Sequence, residues 1–300
     1  MIKTIIDIGS NSIKYLCVNK KDKSYEIIDH GTITNRIGDH ILDTRQFTQE
    51  KMNKTCQCIS EIKTQFSMYK DIEYVAVGTM AFRKALNAIQ MLEEVFQKTG
   101  ISIRILSQEE EACLSYHAAL SDFNQIENML IFNLGGGSTE LVYVKDELEK
   151  KTISLDFGAL ILTNKFTDSH EYFSYKACNH YLSEVVSALD DFKPEKIIGI
   201  GGTISSAIRL SQKIKSYHFS KIHLNKLTEK ELDYLIFVFS EPVTNSEAYQ
   251  DLVINNTYLP HSHRDIILPG LLIMKQLIKK YKKNEIICNE KGLIFALIND

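Results

Sequence analysis

Apolar positions along this chain fall into short runs bounded by glycine turns, and one such pattern occurs twice. From Asn128 to Tyr143 the sequence is NMLIFNLGGGSTELVY. The run MLIF leads to Asn133 and Leu134, three glycines follow, and alternation resumes at Thr139. That order predicts a strand, a tight turn and an antiparallel strand. Near the beginning, Ile5-Ile6-Asp7-Ile8-Gly9-Ser10-Asn11-Ser12-Ile13-Lys14 follows the same plan, with Asp7 aligned to Asn133, Gly9 to Gly135 and Ser12 to Ser138. Each loop is followed by two more strand-like runs: IKYLCV and YEIIDHG in the first copy, TELVYV and KTISLDFG in the second. A duplicated strand–loop–strand–strand unit predicts two similar domains, each offering a donor-rich turn to a common cleft.

Helical spacing fills the stretches between. Met52, Cys56, Ile59 and Phe66 predict an amphipathic helix over Gln46 to Lys70. The strand YVAVGT gives way to a helix after Thr79, and a further helix closes at Gly100, a C-terminal cap. Ile101 to Leu106 is a strand, and Ser107 with Glu110 is a capping box that starts the next helix. Phe166 to Phe192 has a helical pattern ending before Pro194. Lys196 to Ser205 is a third strand–glycine turn, running into the helix SSAIRL. The region from Ser211 to Pro260 predicts only helices and loops. Pro269 to Lys283 is an amphipathic helix with its proline in the first turn, and Lys275, Lys279, Lys280, Lys282 and Lys283 form its solvent face. The closing GLIFALIND predicts a short apolar helix that packs back on a domain.

Composition narrows the class. The 300 residues suit two domains, and 44% hydrophobic with 24% charged residues are the proportions of a globular protein in water. No apolar run is long enough for a bilayer, and Lys3 and Asp7 interrupt any apolar leader. The six cysteines are scattered, so they predict buried thiols in a reducing cytoplasm. A net charge of −3 argues against general nucleic-acid binding while leaving room for a local basic cleft.

Candidate chemistry gathers at the turns. Gly135, Gly136 and Gly137 let backbone N–H groups converge with no Cβ in the way, which makes an anion nest. Ser138 and Thr139 add hydroxyls, and Glu140 sets a carboxylate at the rim. A hairpin alone would also use such a turn; its repetition at Ser10, Asn11 and Ser12 is what points to phosphate. Gly201-Gly202-Thr203 before a helix is another natural anion site. It lacks the dinucleotide-binding spacing, and no GxxxxGK[ST] occurs. Arg83, one turn into its helix, could hold a phosphate bidentately or be a solvated surface arginine. Glu111 shares its helical face with Leu114, Ser115 and Ala118, the face that packs inward; it is either a dipole-satisfying glutamate or a general base. His261-Ser262-His263-Arg264-Asp265 has a metal-like look, but HxH beside a proline reads as solvated.

Together these motifs resemble the exopolyphosphatase/guanosine pentaphosphate phosphohydrolase family of the actin-like superfamily. DIGSNSIK, NRIG at Asn35–Gly38, VGTMAFRKALN, ILSQEEEA, NLGGGSTEL, SLDFGALILT, IGIGGTISSA and RDIILPG occur in family order over nearly the whole chain. The resemblance implies an α/β fold of two ribonuclease-H-like domains, 1–123 and 124–300, with a helix at about 290–300 returning to the first. A chain of this length resembles the two-domain catalytic core of longer relatives that carry a further C-terminal domain.

The same resemblance implies that Glu111 activates the attacking water. It implies that Glu140 helps hold a divalent metal, usually Mg2+; the internal repeat, which aligns Asp7 with Asn133, adds Asp7 as a second acid. Arg83 and the turns at Ser10–Ser12, Gly135–Ser138 and Gly201–Thr203 match phosphate-contacting positions, and Arg36 and Arg264 are further polyanion contacts. Two positions depart from the family pattern. Asn133 stands where a metal-binding aspartate is usual, and an amide ligates Mg2+ without contributing charge. Gly292-Leu293-Ile294-Phe295 stands where a GLRE-like motif is usual. The expectation is a cytoplasmic hydrolase of phosphoric anhydride bonds acting on inorganic polyphosphate, with guanosine pentaphosphate as a second substrate and no nucleic-acid or membrane partner. A weakly active or non-catalytic polyanion-binding homologue is the alternative, and a homodimer stays open.

Overall fold

The computed structural model describes residues 1–22, 24–123, 128–146, 149–240, 247–254, 258–259 and 263–299. They form two compact units, one of residues 1–118 with 293–300 and one of residues 119–292. In the first unit, β1 (Ile2–Ile8), β2 (Ser12–Lys20) and β3 (Tyr25–Thr34) make an antiparallel meander. Short α1 (Ile41–Thr44) and long α2 (Gln49–Gln65) follow, then β4 (Glu73–Gly78), α3 (Met80–Lys84), α4 (Ala88–Thr99), β5 (Ile103–Ile105) and α5 (Gln108–Leu120). The sheet order is β3-β2-β1-β4-β5, with β4 parallel to β1 and β5 parallel to β4.

The sequence explains these elements locally. Ile5, Ile6 and Ile8 of β1 are buried because both faces of the strand are covered; of its three polar residues, Lys3, Thr4 and Asp7, buried Lys3 pairs with Glu73 at 3.4 Å. α2 starts at Thr48, whose hydroxyl accepts from Lys51 N, and turns Met52, Cys56, Ile59 and Ile62 into the core. Gly100 ends α4 in the left-handed conformation, φ 70°. The capping box at α5 is reciprocal: Ser107 N donates to Glu110 Oε2 (2.8 Å) and Glu110 N to Ser107 Oγ (3.1 Å).

The second unit repeats the plan. β6 (Met129–Leu134), β7 (Thr139–Val144) and β8 (Lys150–Leu155) form an antiparallel meander. Then come α6 (Ala159–Phe166), α7 (Tyr175–Ser187), β9 (Lys196–Ile200), α8 (Gly202–Ser211), α9 (Phe219–Ile222), β10 (Lys226–Thr228), α10 (Glu229–Ser240), α11 (Glu247–Tyr249), α12 (Ile267–Tyr281) and β11 (Glu285–Asn289). The order β10-β11-β9-β6-β7-β8 matches the first sheet once the added edge strand β10 is set aside. After β11 the chain re-enters the first unit as α13 (Leu293–Ala296). Leu293, Leu297 and Ile298 join Ile5, Leu16, Val18, Val77 and Leu106 in its core.

Three expectations need correction. Phe166 to Phe192 is not one helix: α6 ends at Phe166 and α7 begins at Tyr175. Between them the Asp168 carboxylate accepts from the N–H groups of His170 and Tyr172, a side-chain turn that outcompetes helix continuation. The lysines of α12 are not all its solvent face, because this helix is buried on nearly every side. Half-buried Lys275 pairs with Glu229 (2.8 Å) and Asp233 (2.6 Å), and Lys280 with Asp191 (2.7 Å). The region Ser211 to Pro260 contains a strand, β10, held by β11, for which the sequence had offered no separate expectation.

Candidate active site

The two glycine loops fold alike. Gly9 N donates to Ser12 O at 3.0 Å, and Gly135 N donates to Ser138 O at 3.1 Å. In each copy the segment after the third strand docks on the loop's carbonyls. Asn35 and Arg36 donate from their backbone to Asn11 O, and Gly38 to Ser10 O (2.8 Å). In the second unit Ala159 donates to Gly135 O, and Leu160 and Ile161 to Gly136 O. With those carbonyls engaged, the N–H groups of Gly136, Gly137 and Ser138 donate to no backbone carbonyl among the described residues. That edge can receive an anion.

The side chains around the loops differ in role. Ser10, Asn11 and Ser138 are buried, and Asn11 Oδ1 has no hydrogen-bond partner among the described residues. Ser12 is half-buried. The Thr139 hydroxyl is committed elsewhere: it is fully buried and donates to Phe157 O at 2.8 Å. At the third turn Gly201 has φ 119°, and a Cβ there would lie 2.3 Å from Leu134 O, so only glycine fits. Thr203, at the start of α8, packs against Gly270 of α12, and Gly202 faces the ring of His263. Arg264 Nη2 donates to Val253 O at 2.7 Å. His261 and Ser262 lie outside the described residues.

Four charged groups gather in the first unit. Asp7 and Lys14 are register partners across β1 and β2, either side of the loop. Asp7 is pushed above the usual carboxylate range by burial, with Lys14 drawing it down, and its Oδ1 has no hydrogen-bond partner among the described residues. Glu111, in the first turn of α5, is buried, and Arg83 Nη1 donates to its Oε2 at 2.8 Å and to Leu106 O at 2.8 Å. Burial pushes Glu111 up to about 6; Arg83 pulls against this, Asp7 adds to it and Lys14 opposes it. A buried carboxylate held near neutrality is what a general base requires.

In the second unit the matching register pair is Asn133 and Glu140. Asn133 Nδ2 donates to Glu140 Oε2 at 3.3 Å. For a resident Mg2+, the fit rests on donor chemistry. In the second unit Asn133 turns its NH2 to Glu140, which leaves its amide oxygen as a ligand atom beside that carboxylate; in the first unit, taken by itself, Asp7 keeps an orphan buried oxygen. Among the described residues no three His, Cys, Asp or Glu side chains form a cage. Mg2+ is commonly held by one or two carboxylates with substrate oxygens and water, and each of these acids, Glu140 and Asp7, is a ligand of that kind.

One polar network escaped sequence reasoning. Glu290, just after β11, accepts from Ser205 Oγ in the first turn of α8 and from Tyr217 OH (2.6 Å). Its backbone N donates to His223 Nδ1 (3.2 Å), and His223 Nε2 meets Asp122 at 3.4 Å. Asn289 and Lys291 also bond Asp122. These residues come from four distant segments, so no local spacing announced them.

Two α/β units with one strand order, each with a glycine loop after its first strand, define the two-domain ribonuclease-H-like class. Within that class, the model of the Ppx/GppA phosphatase family matches residues 16–294, and the chain belongs to this family. It is 25% identical over 313 residues to the bifunctional 3-dehydroquinate synthase/phosphatase of Fusobacterium nucleatum, covering 99% of this chain and 46% of that protein. The chain thus spans about half the length of that curated relative. The crystal structure of the Aquifex aeolicus Ppx/GppA family member is similar at TM-score 0.78 and 25% identity, covering 99% of this chain and 96% of that one. An exopolyphosphatase from Cytophaga hutchinsonii shares the fold at TM-score 0.85 and 15% identity, covering 100% and 97%.

Proposed function

We propose that this protein hydrolyses the terminal phosphoanhydride bond of inorganic polyphosphate, with guanosine pentaphosphate as a second substrate. The observation that carries this reading is the buried Glu111 carboxylate, raised to about 6, in one charged cluster with Arg83 and the loop-flanking Asp7 and Lys14. Glu111 takes a proton from water as the water oxygen bonds to the terminal phosphorus. The bridging P–O bond breaks, releasing orthophosphate and a chain shorter by one unit. Backbone N–H groups at Ser10–Ser12, Gly135–Ser138 and Gly201–Thr203, together with Arg83, orient the phosphates, and Arg36 and Arg264 extend the polyanion path. Asp7, Glu140 and Asn133 would hold Mg2+, which supplies charge neutralisation of the phosphoryl oxygens. The six free cysteines support a reducing, cytoplasmic setting.

A second reading has one observation in its favour. Asn133 contributes no charge beside Glu140, which suits a homologue that holds a polyanion and turns it over slowly. Orthophosphate release from polyphosphate and from guanosine pentaphosphate, followed across a magnesium titration, separates the two. Magnesium-dependent release supports the hydrolase. Tight polyphosphate binding without release supports the binding homologue, and absence of both sinks each reading.

A further inference from the structure

Arg83 is asked to serve two partners. One terminal nitrogen is engaged by Leu106 O and by Glu111 Oε2, each at 2.8 Å, while Nη2 is buried with no hydrogen-bond partner among the described residues. Both members of the ion pair are mostly shielded from water, with side-chain exposures of 15% for Arg83 and 9% for Glu111. At such a site a charge-assisted bond is strong and an unsatisfied donor is costly. A multiply charged phosphate offers a guanidinium more than a single carboxylate does, because its oxygens match the planar fork bidentately.

We propose that Arg83 is a positioning residue that exchanges partners: it holds Glu111 until a phosphoryl group arrives, then turns to the phosphate and releases the carboxylate. This rests on the reading of Glu111 as the base. The bond to Leu106 O is the pivot, so the side chain need only trade one partner. Idle Glu111 stays paired and poorly able to take a proton from water. The arrival of substrate frees it, so the base is exposed only when there is a phosphorus to attack. The exchange makes Glu111 and phosphate competitors for Arg83, and competition has a sign that a static ion pair lacks.

The test is calorimetric binding of methylenediphosphonate, which cannot be hydrolysed, to the full chain and its variants at fixed magnesium. Glu111→Gln removes the competitor and is expected to bind about tenfold more tightly than the unaltered protein, the order of one charge-assisted contact. In an Arg83→Gln background the same substitution is expected to give no gain, a coupling read directly from the double-mutant cycle. Unchanged or weaker binding by Glu111→Gln would make the pair a static staple and overturn the proposal. An equal gain in both backgrounds would also overturn it, since relief of charge repulsion would then suffice. Should Arg83→Gln not fold, Arg83→Lys replaces it: the fork is lost with the charge kept, and the gain is expected to shrink to threefold or less, about 0.65 kcal/mol. Near-normal polyphosphate turnover by Glu111→Gln would sink the general-base reading by itself, whatever the binding experiment shows.

Discussion

The two glycine loops are the same backbone carrying different chemistry. Both close with a glycine N–H on a serine carbonyl, and both have their outer carbonyls covered by the segment after the third strand. Gly38 and Gly158 hold equivalent places in that cover: a Cβ would lie 2.4 Å from Ser10 Cβ in one case and 2.3 Å from Gly135 O in the other. Yet the register pair is an acid and a base, Asp7 and Lys14, in the first unit, and an amide and an acid, Asn133 and Glu140, in the second. The first copy sets an acid against a base across its loop, and the second sets an acid against an amide. Duplication has kept what the turn needs sterically and let charge diverge where side chains only border it.

The largest expected break falls on what the first unit has alone. Glu111→Gln is expected to lower turnover by roughly 10²–10⁴-fold, the usual worth of a positioned base. Because a general base works ionised, the proposed role predicts that kcat/KM of the unaltered protein falls as pH drops through about 6, the value to which burial raises Glu111. A pH–rate profile checks this, and a flat profile between pH 5 and about 7 would remove Glu111 from the chemistry.

Next in size is the shared cover. Gly158→Ala forces a Cβ onto loop backbone and is expected to cost about 1–3 kcal/mol, several degrees of melting temperature. Gly38→Ala is expected to cost a similar amount. Thermal unfolding of both variants tests the equivalence, which fails if either melts like the unaltered protein.

The smallest effect sharpens the contrast in charge. Asn133→Asp places a second carboxylate against Glu140, where the amide now donates at 3.3 Å. Without magnesium this is expected to lower stability by about 1 kcal/mol through like-charge repulsion. Added magnesium is expected to restore it, and less should be needed for half-maximal activity. An unchanged melting temperature with and without magnesium would separate Asn133 from any metal.

Much of this was legible because it is local. The strand–glycine–strand pattern gave both loops, Ser107 with Glu110 gave the start of α5, and Gly100 gave the end of α4, each through neighbours a few residues apart. The illegible parts depend on distant partners. β11 is five residues that become a strand between β9 and β10. Lys275 and Lys280 looked like solvent-facing residues because Glu229, Asp233 and Asp191 lie far off in sequence. The pairing of Arg83 with Glu111 joins positions 28 residues apart, so each residue stands out by its own local motif while no spacing joins the two.

The return of Leu293, Leu297 and Ile298 to the core of Ile5 and Leu16 has a consequence in time. A ribosome that has reached Ala118, within α5, must still make residues 119–292 before the pieces that complete the first core exist. At about 5–20 residues per second, that wait is roughly 10–35 s. For that interval the first unit is a vessel without its lid, with Val75 and Leu114 lacking their neighbours. Its nascent form should therefore attract chaperones that bind apolar surface, and lose them when the final helix emerges.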